Sequence, residues 1–130
     1  MMLVPPDLRY TTSHEWARRE GADVVVGITA HAQEELRDVV FLELPKTGRA
    51  VKQGEPVAVI ESVKAAFDIY APVSGTVARV NDTAVKSPQL VNQDCYGSGW
   101  LFAVAPSTPK ELDGLLSAEA YTKQIQAGTH

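Results

Sequence analysis

The residue best placed to do chemistry is a lysine. Lys64 stands in the segment Glu61-Ser62-Val63-Lys64-Ala65-Ala66-Phe67-Asp68 and is the only basic residue between Lys52 and Arg79. Carboxylates stand three positions before it, at Glu61, and four after it, at Asp68. Apolar runs on either side predict a hairpin over about residues 56–73, with Val63-Lys64-Ala65 at its turn. Pro56 is tolerated at the start of the first strand, where a ladder donor is not required. A lysine held away from the body on such a tip suits covalent acylation, which removes its charge. Charged tips also occur for a plainer reason, because they are solvated and keep strand edges from pairing with other chains. Position alone does not separate these two roles.

Other reactive types are sparse. His14 and His31 are not accompanied by a serine or cysteine at a recognisable nucleophile turn, nor by acid–histidine spacing that suggests a metal. We expect His14 in a strand or loop, His31 early in a helix and His130 in the tail. Cys95 is the single cysteine, so no internal disulfide and no Cys/His zinc site is expected. Its reactivity would need a lowered pKa, and the plainer reading is a small packing residue. No catalytic constellation stands out, so the chain is not expected to be an enzyme.

The elements that must position Lys64 are mostly strands. Short Val-rich runs at residues 14–19, 24–28, 39–44, 56–61, 67–71, 76–80 and 100–105 are separated by Gly, Pro, Asn and Asp. That spacing predicts a mainly β fold, a flattened barrel or two-sheet sandwich with short peripheral helices. Thr29 is placed to cap a helix reaching Arg37, with Ala32 and Leu36 facing inward. Thr108-Pro109-Lys110-Glu111 has the form of a capping box, predicting a helix through Leu112, Leu115 and Leu116. Ser117 then caps a last helix with Tyr121 and Ile125, so that C-terminal helices span about residues 108–126. The tail from Ala127 to His130 is expected to fray. Trp16 and Trp100 read as packing aromatics, and Asn92, Gly97 and Gly99 as turn residues.

Length and charge narrow the function classes. The chain has 130 residues, which suits one domain over residues 1–130. Its formal net charge of -4 disfavours non-specific nucleic-acid binding and attraction to an anionic membrane. The apolar runs are far shorter than the roughly 20 residues of a spanning helix. The first residues have neither the apolar core of a signal peptide nor the Arg/Ser pattern of a transit peptide. A cytoplasmic (bacterial) protein is expected, or a mitochondrial matrix protein if the chain is a mature eukaryotic one.

Taken in order, the motifs resemble the glycine cleavage H protein family. The carriers of that resemblance are Ser13-His14-Glu15-Trp16, Gly27-Ile28-Thr29 with His31-Ala32-Gln33, and Val40-Phe41-Leu42-Glu43-Leu44-Pro45. The central segment follows, from Glu61 to Ala66 with Asp68 and Pro72-Val73-Ser74-Gly75, and then Leu90-Val91-Asn92, Tyr96-Gly97, Gly99-Trp100 and Glu119-Ala120-Tyr121. Each piece is weak, but all of them in order from about residue 8 to residue 125 are specific. The resemblance implies a lipoyl/biotinyl-like barrel-sandwich hybrid fold. It also implies lipoate as a covalent cofactor on Lys64, in a monomeric carrier that is not itself an enzyme.

In that family the arm takes an aminomethyl group from the pyridoxal-phosphate glycine decarboxylase (P protein). It delivers the group to a tetrahydrofolate-dependent aminomethyltransferase (T protein), and is reoxidised by dihydrolipoamide dehydrogenase (L protein). A lipoate ligase or lipoyltransferase would attach the group, with Glu61, Ser62, Val63 and Ala65 as the residues through which the hairpin is recognised. Ser13, Glu15, Glu35 and Asp68 are the residues expected at a cleft that shelters the arm. Glu61 and Asp68 could instead serve recognition by the lipoylating enzyme or by partners. Glu35 departs from family members with histidine there, and Cys95 from the proline that often precedes the Tyr-Gly pair. Methionines flanking the lysine would signal biotin, and Asp-Lys-Ala a 2-oxoacid dehydrogenase lipoyl domain; Val63 and Ala65 match neither. An H-like protein that relays lipoyl groups to other enzymes would need the same lysine, and an unmodified interaction module would not.

Overall fold

The computed structural model describes residues 3–128. Nine strands and five short helices are found among them: β1 (Arg9–Tyr10), β2 (Glu15–Glu20), β3 (Asp23–Ile28), α1 (Ala30–Leu36), β4 (Val39–Glu43), β5 (Ala50–Val51), β6 (Pro56–Ser62), β7 (Ala66–Tyr70), β8 (Gly75–Val80), α2 (Asp82–Lys86), α3 (Leu90–Gln93), β9 (Phe102–Pro106), α4 (Lys110–Asp113) and α5 (Ala118–Gln126). The strands form a six-stranded sheet in the order β1-β2-β3-β9-β8-β5 and a three-stranded sheet in the order β4-β6-β7. Every pairing is antiparallel. This is the expected mainly β, two-sheet sandwich.

Burial of alternating apolar side chains drives the closure. Val24, Val26 and Ile28 of β3, Leu42 of β4, Ile60 of β6, Ile69 of β7 and Val104 of β9 all belong to one buried cluster. A second cluster, around Tyr10, Trp16, Val25 and Tyr121, seats α5 against β1 and β2. Trp16 faces Gly27 across the β2–β3 ladder, and any Cβ at position 27 would fall 2.6 Å from the indole. Glycine is therefore what lets the indole lie flat on β3, with Nε1 donating to the Cys95 carbonyl at 2.9 Å.

The helix readings hold in two places and fail in one. Thr29 caps α1 with its side chain accepting from Ala32 N–H, and Ser117 caps α5 by accepting from Ala120 N–H. The predicted capping-box helix does not reach Leu116. It stops after one turn at Asp113, with Gly114 as its C-cap, and Glu111 does not turn back to Thr108. Its carboxylate accepts instead from the Ser74 amide at 2.6 Å and the Ser74 hydroxyl at 2.9 Å, which ties α4 to the β7–β8 turn. Leu116 leaves the helix to pair with Tyr10 as an isolated bridge. Asn92 also differs from its expected turn role: it lies in α3, accepts from Val39 N–H and donates to the Arg37 carbonyl and to Gln33. The expectation for His130 and part of that for the tail lie outside the described residues.

Candidate functional site

The β6–β7 hairpin places Lys64 at its tip, exposed, between Val63 and Ala65. Ser62 organises the turn. Its N–H donates to the Ala65 carbonyl at 2.7 Å, and its hydroxyl accepts from the N–H groups of Lys64 and Ala65. Side chain-to-backbone bonds of this kind satisfy turn donors that no ladder can reach. The Val63 amide donates to the Asp38 carbonyl at 3.2 Å, pinning the tip to the loop between α1 and β4. Lys64 therefore leaves a braced turn with its side chain free of neighbouring bulk. Val63, 79% exposed, is available to whatever approaches the tip.

A cleft of about 290 Å³ lies between β7 and α1. Ile28, Ala32, Leu36, Ile60, Phe67 and Ile69 give it apolar walls. Ser13, His14, Glu35 and Asp68 supply polar groups along it. Mostly apolar walls with a few polar groups are what a site for a short acyl chain with a polar end requires. Of the four residues expected at such a cleft, Ser13, Glu35 and Asp68 are among those that line this one.

Glu15 is placed differently from the expectation. Its carboxylate is fully buried and is not among the residues that line this cleft. One oxygen accepts from the hydroxyls of Thr11 and of Ser13, the latter at 2.6 Å, and the other accepts from the Tyr70 amide at 3.1 Å. Burial raises the carboxyl above its ordinary 4.5, and the same hydrogen bonds work against that shift. Glu15 thus joins β2 to the base of the hairpin strand β7. A carboxylate already holding three donors in a dry site has little capacity left for a passing ammonium.

His14 lines the cleft, and both His14 and His31 have partners that were not expected. His14 adopts φ +74°, a left-handed conformation uncommon outside glycine. Its Nδ1 lies 2.7 Å from the Tyr121 hydroxyl, which also contacts the Thr29 hydroxyl at 2.7 Å. His31 packs on His14 with ring centroids 4.7 Å apart, and its Nε2 lies 2.8 Å from Glu35. The i,i+4 spacing of His31 and Glu35 could have revealed this pair. The link from His14 to Tyr121 spans 107 residues and had no local signal. Cys95 is a buried free thiol whose pKa burial pushes up to about 11, the setting of a packing residue rather than of a reactive thiolate. Among the described residues no cluster of His, Cys, Asp and Glu could hold a metal ion, and no helix is long and apolar enough to cross a membrane.

Comparison with known proteins agrees with the resemblance read from the motifs. A family model described as "Glycine cleavage H-protein" matches residues 8–128. The chain is 52% identical over 123 residues to the glycine cleavage system H protein of Myxococcus xanthus (strain DK1622), covering 95% of each chain. It is 56% identical over 126 residues to that of Shewanella loihica (strain ATCC BAA-1088 / PV-4), covering 96% of this chain and 98% of the relative. A solved glycine cleavage system H protein from Mycobacterium marinum superposes with a TM-score of 0.87 at 40% identity, covering 95% of this chain and 99% of that one.

Proposed function

Since the chain belongs to the glycine cleavage H-protein family, we propose that it is the lipoyl-lysine shuttle of that system, with Lys64 as the attachment residue. The observation that carries this reading is the exposed Lys64 on a turn braced by Ser62, at the tip of the hairpin whose strands line a cleft with apolar walls and a few polar groups. The lipoyl group, when attached, supplies a redox-active dithiolane that accepts the one-carbon unit from glycine and later gives up electrons. The protein supplies delivery, since tethering keeps the reactive end at high local concentration at each docking site.

The side chains have distinct parts in this reading. Lys64 would hold the lipoyl group as an amide at Nζ, formed from the activated acyl group that the ligase makes with ATP, whose leaving group departs as the amine gives up its proton and its charge. Ser62 holds the tip in one conformation, and Glu61, Val63 and Ala65 present it to the lipoate ligase or lipoyltransferase. Asp68 and Glu35, with Ser13 and His14, line the cleft and attract an ammonium carried at the end of the arm. That attraction is stronger where water is partly excluded than on open surface. Glu15 acts one layer behind, by fixing the base of β7. The apolar walls keep water from the loaded arm. The partners are the glycine decarboxylase, the aminomethyltransferase and dihydrolipoamide dehydrogenase.

The test is reconstitution of glycine cleavage with lipoylated protein and with Lys64→Arg. The wild type supports turnover, and the variant folds yet supports none. Turnover by Lys64→Arg would overturn the assignment.

A further inference from the structure

Tyr121 of α5 is fully buried, and its hydroxyl meets two residues that shape the cleft. It lies 2.7 Å from Nδ1 of His14 and 2.7 Å from the hydroxyl of Thr29. His14 lines the cleft, and Thr29 caps α1, the helix that gives the cleft Ala32, Glu35 and Leu36. The Thr29 amide also donates to the His14 carbonyl at 3.1 Å, which closes a triangle of three residues. The ring of Tyr121 is enough to seat α5. It stacks on Tyr10 with centroids 4.8 Å apart, Ser117 caps the helix, and Leu116 pairs with Tyr10 just before it. A phenylalanine would keep all three. Burying a hydroxyl carries a desolvation cost that a phenyl ring lacks, so what the oxygen adds lies in its two partners. The phenol has one hydrogen, so it donates to one of them and accepts from the other. Burial pushes its pKa up, so that hydrogen is kept through the ordinary pH range. His14 is a residue that needs a hold. A φ of +74° is costly for a side chain with a Cβ and persists where neighbours fix it. Its imidazole stands edge-on to Tyr121, with centroids 5.7 Å apart, and packs on His31 at 4.7 Å.

We propose that Tyr121 is a positioning residue for the cleft: its hydroxyl holds the His14 imidazole on the cleft wall and ties it to the cap of α1, so that the polar side of the cleft keeps its shape while the loaded arm rests there. The inference rests on the carrier reading above. Tyr121 does not itself line the cleft, so its effect passes through His14. The cargo at risk is an aminomethyl group on sulfur. Water destroys it by hydrolysis: the sulfur leaves as a thiol, the nitrogen as ammonia and the carbon as formaldehyde. One water is consumed, its oxygen going to formaldehyde and its hydrogens to sulfur and nitrogen. A displaced His14 opens the wall to that water. On this reading α5, which belongs to neither sheet, has a part in sheltering the cargo besides its part in packing.

In the experiment, lipoylated protein is loaded by purified glycine decarboxylase with glycine and then freed of that enzyme. Formaldehyde release is followed with no folate enzyme present. Tyr121→Phe speeds release about fivefold, as loss of one buried hydrogen bond predicts. His14→Gly, which suits the left-handed backbone, speeds it at least as much, and the double variant is no faster than His14→Gly. Ser117→Ala removes the cap of α5 instead, lowers Tm and leaves the release rate at the wild-type value. In protein without the lipoyl group, the imidazole nitrogen NMR resonances of His14 shift in Tyr121→Phe and stay in place in Ser117→Ala. A wild-type release rate in Tyr121→Phe would overturn the inference and leave the carrier reading intact. So would an equal acceleration by Ser117→Ala, additive effects in the double variant, or unmoved His14 resonances in Tyr121→Phe. Failure of the wild type to take up the lipoyl group or the glycine carbon would overturn both readings.

Discussion

Ser62 Oγ lies 3.3 Å from the backbone nitrogen of Lys64 and accepts its hydrogen, so the residue that carries the chemistry is fixed by the residue two places before it. The same oxygen accepts from Ala65 N–H at 3.1 Å. Removing it frees two turn donors to water and loosens the tip without touching the lysine side chain. Ser62→Ala is expected to cost about 1 kcal/mol, or roughly 3–6 °C in Tm. It is also expected to slow lipoylation of Lys64 several-fold, while Ser62→Thr retains the rate. Thermal unfolding and time-resolved intact mass check this, and an unchanged rate in the alanine variant would refute it.

Glu15 makes stability depend on pH. Its pKa is raised in the folded state, so its favourable contribution is complete below the unfolded value of 4.5 and declines as pH rises through the higher folded value. Glu15→Gln cannot titrate. The stability of wild type relative to Glu15→Gln should therefore fall as pH is raised from 4.5. Parallel curves of Tm against pH would show that the buried carboxyl is not perturbed.

Asp68 tests the cleft rather than the fold. It is exposed on β7 and lines the cleft with Glu35, so Asp68→Ala should leave Tm within about 1 °C of wild type, as surface substitutions usually do. The loaded arm should then release ammonia faster than wild type when no folate enzyme is present. Equal release rates would take Asp68 out of the sheltering role.

Cys95 should be silent. With its pKa near 11 and its side chain buried, native protein should resist alkylation at pH 8, and unfolded protein should take up one alkyl group. Rapid labelling of the native protein would contradict this account of the thiol.

These residues also mark what the sequence made legible. Val-rich runs between turn residues located seven of the strands to within one or two positions, because a half-buried strand announces itself by composition and spacing. β1 and β5, of two residues each, carry too little pattern to be seen. The caps Thr29 and Ser117 were legible because capping is local chemistry. Glu111 misled for the same reason: its spacing satisfied the local rule, but the Ser74 amide and hydroxyl, 37 residues away, offered more. The hairpin placed Lys64 at a tip, but only the family resemblance gave it a role. The placement of Glu15 behind the cleft, and of His14 on it through Tyr121, depends on long-range packing that no local spacing encodes.

The central claim is that Lys64 carries the lipoyl group, and intact mass followed by peptide mapping tests it most directly. The protein is incubated with lipoate, ATP and a lipoate ligase, alongside Lys64→Arg. One lipoyl addition, on the peptide containing Lys64 and absent from the variant, is the predicted result. No addition under conditions that modify a known acceptor, or addition at another lysine, would contradict the account.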